Sequence, residues 1–257
     1  WAPLDYQDSY DNAGLQVGDP SAEVTSVLVC LDVTEAVLDE AARIGCNFIL
    51  SHHPLIFRPL RHVTGATYQE RCVAAAIRGG ISIYSAHTNL DNAEGGVNYR
   101  IASMLGVEGL SWLQAKPVTA GRSCGSGVVG TLAQPVEDSA FLGRIKDIFG
   151  VDCLMHNGTR GRLISKVAIC GGAGAFLLRD AVACGADCFI TGEMHYHDWF
   201  GHESFVEGPD GLMIVEMGHF QSERFTQQLL ADLVRSAFPQ LRIELTQNDT
   251  NPIHYSI

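Results

Sequence analysis

Short apolar runs alternate with amphipathic stretches along this chain, and the alternation predicts repeated β-α-β organisation. Val24–Leu31 is an apolar run that ends at Asp32 and reads as a strand. Thr34 can cap the helix that follows, Glu35–Ile44, and Gly45 can end it. Cys46–Leu50 is a second apolar run, a buried strand that stops at Ser51. Strand, helix and strand in this order are the signature of parallel pairing. Ahead of the unit, Asn12 and Gly14 mark a turn and Leu15–Val17 a short strand. Behind it come a helix, Tyr68–Arg78, closed by Gly79-Gly80, then a strand, Ile81–Ser85, and a helix, Val97–Leu105.

Gly106–Gly127 lacks clean periodicity and holds Pro117 with several Gly and Ser, so it reads as a linker between two halves. The expected domains are residues 1–114 and 115–257. The second half offers a strand, Val128–Ala133, a helix, Asp138–Phe149, and a strand, Lys166–Cys170. A helix, Phe176–Cys184, and strands Asp187–Ile190 and Leu212–Val215 follow, then one long helix to about Phe238 and a last strand, Leu241–Leu245.

The halves overlay. Shifted by 140 positions, Ser26–Ser51 meets Lys166–Thr191 without a gap, and Val27, Cys30, Leu38, Ala41 and Gly45 fall on identical residues. More telling, strand, helix, terminating Gly and second strand all coincide. The predicted fold is therefore α/β: two related domains from an internal duplication, with mixed sheets flanked by helices.

Composition adds limits. The 257 residues, 46% hydrophobic and 18% charged, suit one or two globular domains. No apolar stretch approaches the ~20 residues of a membrane span, and no basic-then-apolar leader pattern is visible. The chain begins at Trp1, so preceding residues are expected. A net charge of −12 argues against a general basic surface for nucleic acid, though not against a nucleotide in a local pocket. Eight cysteines without a CxxC read as small core residues in a reducing cytoplasm.

The chemistry gathers where strands end. Ser51-His52-His53-Pro54 puts two adjacent histidines at a strand end, their side chains pointing in different directions. His87-Thr88-Asn89-Leu90-Asp91 and His219-Phe220-Gln221-Ser222-Glu223 each follow a strand and share the pattern His-x-x-x-carboxylate. At a helix start that spacing puts both side chains on one face. Imidazole with carboxylate suits Zn, Fe, Mn, Ni or Co. His52, His53, His87, Asp91, His219 and Glu223 are too many ligands for one tetrahedral ion and about right for two divalent metals. Any single piece has an ordinary reading as a strand-end or capping residue; together, at strand ends of a duplicated fold, they point to a metal site. Glu193 and His195, with His197, follow Thr191-Gly192 at the repeat equivalent of the histidine pair. They are candidates for orienting ligands or for general acid/base catalysis, with a plain polar helix start as the other reading. Gly171-Gly172-Ala173-Gly174 reads as a tight strand-to-helix turn rather than a full phosphate loop. Arg58, Arg61 and His62 could meet an anionic substrate or stay solvated.

Asp11-Asn12-Ala13-Gly14-Leu15-Gln16-Val17-Gly18, the two histidine motifs of the first half, Thr191-Gly192-Glu193 and Gly218–Glu223 together resemble the Nif-three-like family (NGG-one-interacting factor three). Its members also carry the name GTP cyclohydrolase I type 2. The resemblance runs from about Tyr10 to Asn251-Pro252-Ile253. It implies a dinuclear metal centre held by the six residues above, formed between the halves, and a toroidal homohexamer built from dimers. Longer members carry an extra domain between the halves, for which Gly106–Gly127 is too short. The leading expectation is a cytoplasmic metal-dependent hydrolase of a nucleotide or small polar substrate. GTP is the specific candidate: ring opening with loss of formate, with Glu193 or His195 moving protons. The alternative is a metal-binding regulatory or interaction protein without turnover.

Overall fold

A computed structural model describes residues 1–119, 121–200, 211–248 and 250–256. Its strands, in chain order, are β1 (Gly14–Val17), β2 (Ser26–Cys30), β3 (Phe48–Ser51), β4 (Ser82–Ser85), β5 (Val107–Thr119) and β6 (Arg122–Glu137). They continue with β7 (Met155–His156), β8 (Leu163–Cys170), β9 (Cys188–Thr191), β10 (Met213–Glu216) and β11 (Arg242–Leu245). The chain divides into two compact units, Trp1–Leu90 with Arg224–Pro252, and Asp91–Glu223 with the residues from Ile253 on.

The first unit holds a mixed sheet in the order β1-β4-β3-β2-β11. Its helix Glu35–Ile44 begins as the sequence predicts. The Thr34 side chain accepts from the Val37 N–H at 3.3 Å, and Gly45 ends the helix at φ +70°. Leu28, Ile49 and Ile83 of the sheet pack on Val37, Leu38 and Ala41 of this helix and on Cys72, Val73 and Ala76 of the helix Tyr68–Gly79. Each fully buried aliphatic side chain contributes about 1.5–3 kcal/mol.

The second unit holds a mixed sheet in the order β5-β6-β8-β9-β10-β7. The duplication reaches down to register. Val27 lies opposite Phe48 and Cys30 opposite Ser51; 140 residues on, Val167 lies opposite Cys188 and Cys170 opposite Thr191. A third parallel strand completes each trio, with Ser51 opposite Ser85 and Thr191 opposite Glu216. A short antiparallel strand then edges each trio, β1 on β4 and β7 on β10. The other edge differs: β11 joins β2 in parallel, whereas β6 joins β8 antiparallel.

Four expectations need correction. The segment 106–127, read as a linker, is most of a long antiparallel hairpin: Gln114 pairs with Ser126 and Ala115 with Gly125. The boundary expected between 114 and 115 falls within β5, and the units part at Leu90/Asp91 and Glu223/Arg224 instead. Two of the glycines that suggested a loop sit where strands approach closely: a Cβ on Gly125 would lie 2.7 Å from the Gln114 carbonyl oxygen, and one on Gly127 would lie 2.9 Å from that of Ile169. The helix expected over Phe176–Cys184 is a 3₁₀ turn, Ala175–Leu177, followed by the helix Leu178–Ala183. The long helix expected to run to Phe238 is two, His219–Glu223 and Thr226–Ala237, and the chain passes from one unit to the other between them.

Candidate metal centre

In the first unit the carboxyl ends of three parallel strands bring Asp32, His52-His53 and His87 together. The ladder runs past the assigned strand ends. His52 N–H donates to the Cys30 carbonyl at 3.3 Å, His53 N–H to that of Leu31 at 2.9 Å, and Ala86 N–H to that of Ser51 at 2.9 Å. The Ser51 hydroxyl, 2.8 Å from that of Ser85, donates to the His53 carbonyl at 2.9 Å. The histidines therefore stand on a backbone that cannot swing.

Their rings are fixed as firmly. His52 Nδ1 lies 2.8 Å from the Ala86 carbonyl, His53 Nδ1 2.7 Å from Asp32 Oδ1, and His87 Nδ1 2.7 Å from Asp11 Oδ1. A carbonyl and two carboxylates can only accept, so each Nδ1 is the donor in its contact, which makes Nε2 the nitrogen suited to metal ligation. This is the arrangement by which outer carboxylates orient metal-binding imidazoles. The three rings have centroids 5.0, 5.3 and 5.6 Å apart, and one ring nitrogen from each lies within 4.8 Å of the others. Burial works against ionised Asp11, but hydrogen bonds from His87 and Thr88 outweigh it and hold its carboxyl down at about 2. Asp32 is likewise held below the usual range: burial opposes, and contacts from His53 and Thr250 prevail.

In the second unit His219 and Glu223 occupy successive turns of one short helix, with Nε2 3.2 Å from Glu223 Oε2. His219 Nδ1 meets Glu193 Oε2 at 2.8 Å, so a carboxylate again holds the Nδ1 side of the ring. The Gly171–Gly174 turn supports this pair. The Gly172 carbonyl accepts from the Gly192 and Glu193 N–H groups, both at 2.9 Å, while its own N–H donates to Ser222 Oγ at 3.1 Å. Gly172 has φ +61°, and a Cβ there would lie 2.5 Å from Glu223 Oε1. The turn is thus a strut for Glu193 and a gap for Glu223, in line with its reading as a tight turn. Asp91 is the last residue of the helix Thr88–Asp91, and its carbonyl accepts from Asn98 Nδ2 at 3.1 Å.

Other named residues stand differently. His195 is exposed at the N-cap of the 3₁₀ helix Tyr196–Trp199, where its N–H donates to Asp198 Oδ2 at 2.9 Å. His197, Arg58, Arg61 and His62 are exposed. Glu216 ends β10 and is buried. Burial, with the Glu193 charge nearby, raises its carboxyl to about 7, even though the Met194 N–H donates to it at 3.2 Å.

Sequence reasoning did not single out Asp11 and Asp32 as the residues that aim His87 and His53. The repeat held a clue. Asp32 falls on Gly172 under the shift of 140, so the first half places a carboxylate where the second needs space for Glu223.

The sequence as a whole and the fold recur in known proteins. The sequence pattern of the Duf34/NIF3 (NGG1p interacting factor 3) family matches residues 1–252. A Lactococcus lactis protein named GTP cyclohydrolase 1 type 2 homolog is 37% identical over 95% of this chain and 91% of its own. NIF3-like protein 1 of Drosophila melanogaster is 32% identical over 98% of this chain and 85% of its own. The crystal structure of a Staphylococcus aureus hypothetical protein superposes with a TM-score of 0.88 at 26% identity, over 99% of this chain and 95% of that one. With nearly its whole length matched in sequence and in fold, this chain belongs to the Duf34/NIF3 family.

Proposed function

We propose that His52, His53, His87, Asp91, His219 and Glu223 are the ligands of a dinuclear metal centre and that the protein is a metal-dependent hydrolase of a nucleotide or similar small polar substrate. The observation that carries this reading is the shared state of His53, His87 and His219. Each has its Nδ1 against a carboxylate oxygen, at 2.7, 2.7 and 2.8 Å, which makes Nε2 the nitrogen suited to a ligand. A purely structural histidine has no need of that common orientation; a ligand does. Four neutral nitrogens and two carboxylates fit divalent Zn, Fe, Mn, Ni or Co.

Two such ions, when bound, would supply Lewis acidity and a water acidic enough to act near neutral pH. The chain's own residues hold the imidazoles in one tautomer through Asp11, Asp32, Glu193 and the Ala86 carbonyl. Glu193 and His195 are the proposed proton carriers. Glu193 is the stronger of the two, because its carboxylate already accepts a hydrogen bond from His219 Nδ1 at 2.8 Å. The relatives named GTP cyclohydrolase 1 type 2 homolog support GTP as the first substrate to try. Ring opening at the imidazole carbon, with release of formate, is hydrolysis of the kind such a centre performs.

The family's description as an interacting factor favours a second reading, metal binding that serves regulation without turnover. A homohexamer in the cytoplasm completes the proposal. Eight free cysteines accord with a reducing compartment, and among the described residues no helix is long and apolar enough to cross a membrane. The test is GTP turnover by protein loaded with each metal in turn. Formate release that disappears in Glu223→Ala supports the hydrolase; bound metal with no product from a broad nucleotide and phosphoester panel supports the second reading.

A further inference from the structure

Beside the histidine cluster of the first unit lie two exposed aromatic rings that the metal ligands do not explain. Tyr10 is 62% exposed and Phe57 43%. Their rings meet edge to face, with centroids 6.4 Å apart at 71°. Phe57 also meets the His87 ring edge to face, at 6.0 Å and 87°. Exposed aromatic surface costs free energy in water, and here it is held in place. Asn12 Nδ2 donates to the Ile56 carbonyl at 2.6 Å, and the Ile56 N–H donates to Gln16 Oε1 at 3.2 Å. The segment that pins the Phe57 loop also contains Asp11, which aims His87. One stretch, Tyr10–Gln16, therefore fixes an imidazole and its aromatic neighbours together.

The same loop carries Arg58 and Arg61, both exposed, in a chain whose formal net charge is −12. Flat π faces beside local positive charge suit a planar ring that bears an anionic group. Stacking supplies affinity with little demand on ring identity, and guanidinium groups favour phosphate. We infer that Tyr10 and Phe57 form the subsite for the heteroaromatic ring of an anionic, nucleotide-like substrate, next to His87. This rests on the reading of the histidines as a reaction centre and narrows its substrate class.

The test compares two probes that differ by the ring alone, guanosine monophosphate and ribose 5-phosphate, by calorimetric titration of the full chain as purified. Metal content is measured on the same samples. Wild type is expected to bind the ring-bearing probe about tenfold more tightly. Phe57→Ala should abolish that preference with metal content unchanged, and Phe57→Trp should retain it. Equal binding of the two probes by wild type, or a preference that survives Phe57→Ala, overturns the subsite. A smaller assembly in sedimentation of Phe57→Ala, with the ring preference intact, assigns the pair to contact between copies and overturns it too. Protein that carries no metal would overturn the centre, while the ring preference would still decide the subsite.

Discussion

His53 Nδ1 and Asp32 Oδ1 lie 2.7 Å apart at the ends of neighbouring parallel strands, and this contact decides which nitrogen His53 offers to a ligand. Removing the acceptor frees the ring to turn and to change tautomer. Asp32→Ala is expected to weaken metal binding by about 10–100-fold. Asp11→Ala should act the same way through His87. Competition with a chromogenic chelator reads the loss, and circular dichroism checks that the fold remains.

Under the proposed hydrolase reading, a change at Glu193 would separate holding metal from using it. Glu193→Gln keeps a side chain of the same size beside His219 but removes the charge. We expect metal content to stay within a few-fold of wild type while turnover falls about 100-fold or more. Equal losses of metal and turnover would confine Glu193 to orienting His219.

Gly172 and Gly45 both have left-handed backbone, at φ +61° and φ +70°, but only Gly172 has a neighbour in the way. Gly45→Ala is expected to cost about 1–2 kcal/mol from the backbone alone and to leave metal binding intact. Gly172→Ala adds a methyl against Glu223 and should lose metal as well as stability. Urea titration and elemental analysis of the two variants distinguish these outcomes.

Glu216 gives the metal-free protein a pH dependence of known sign. Its folded-state carboxyl is raised, from 4.5 to about 7. Its contribution to stability is thus fully present below about pH 4.5 and is lost as pH rises through 7. Glu216→Gln should therefore be more stable than wild type above pH 7 and indistinguishable from it at pH 4, in urea unfolding with chelator present. Asp11 runs the other way, with stability present above its unfolded value and lost only as pH falls through about 2.

Much of this was legible in the residues because local signals and fold agreed. Thr34 and Gly45 bound one helix as capping rules require, and the shift of 140 that aligns Val27 with Val167 also aligns their strand registers. The hairpin of β5 and β6 was hidden because Gly125 and Gly127 answer to close strand approach, which a single sequence does not display. Asp11 and Asp32 were hidden for a related reason. Their role depends on which ring they touch, and Asp11 is 76 residues from His87. Spacing reveals side chains that meet on one helix, such as His219 and Glu223, but not partners supplied by another strand end.

Two metals held by six side chains would show directly as metal per chain in purified wild type and in His53→Ala, measured by elemental analysis after removal of loosely bound ions. The account predicts about two divalent ions per wild-type chain and a clear loss in His53→Ala with the fold retained. Fewer than one ion per wild-type chain across Zn, Fe, Mn, Ni and Co, or a His53→Ala protein with undiminished metal, would contradict it.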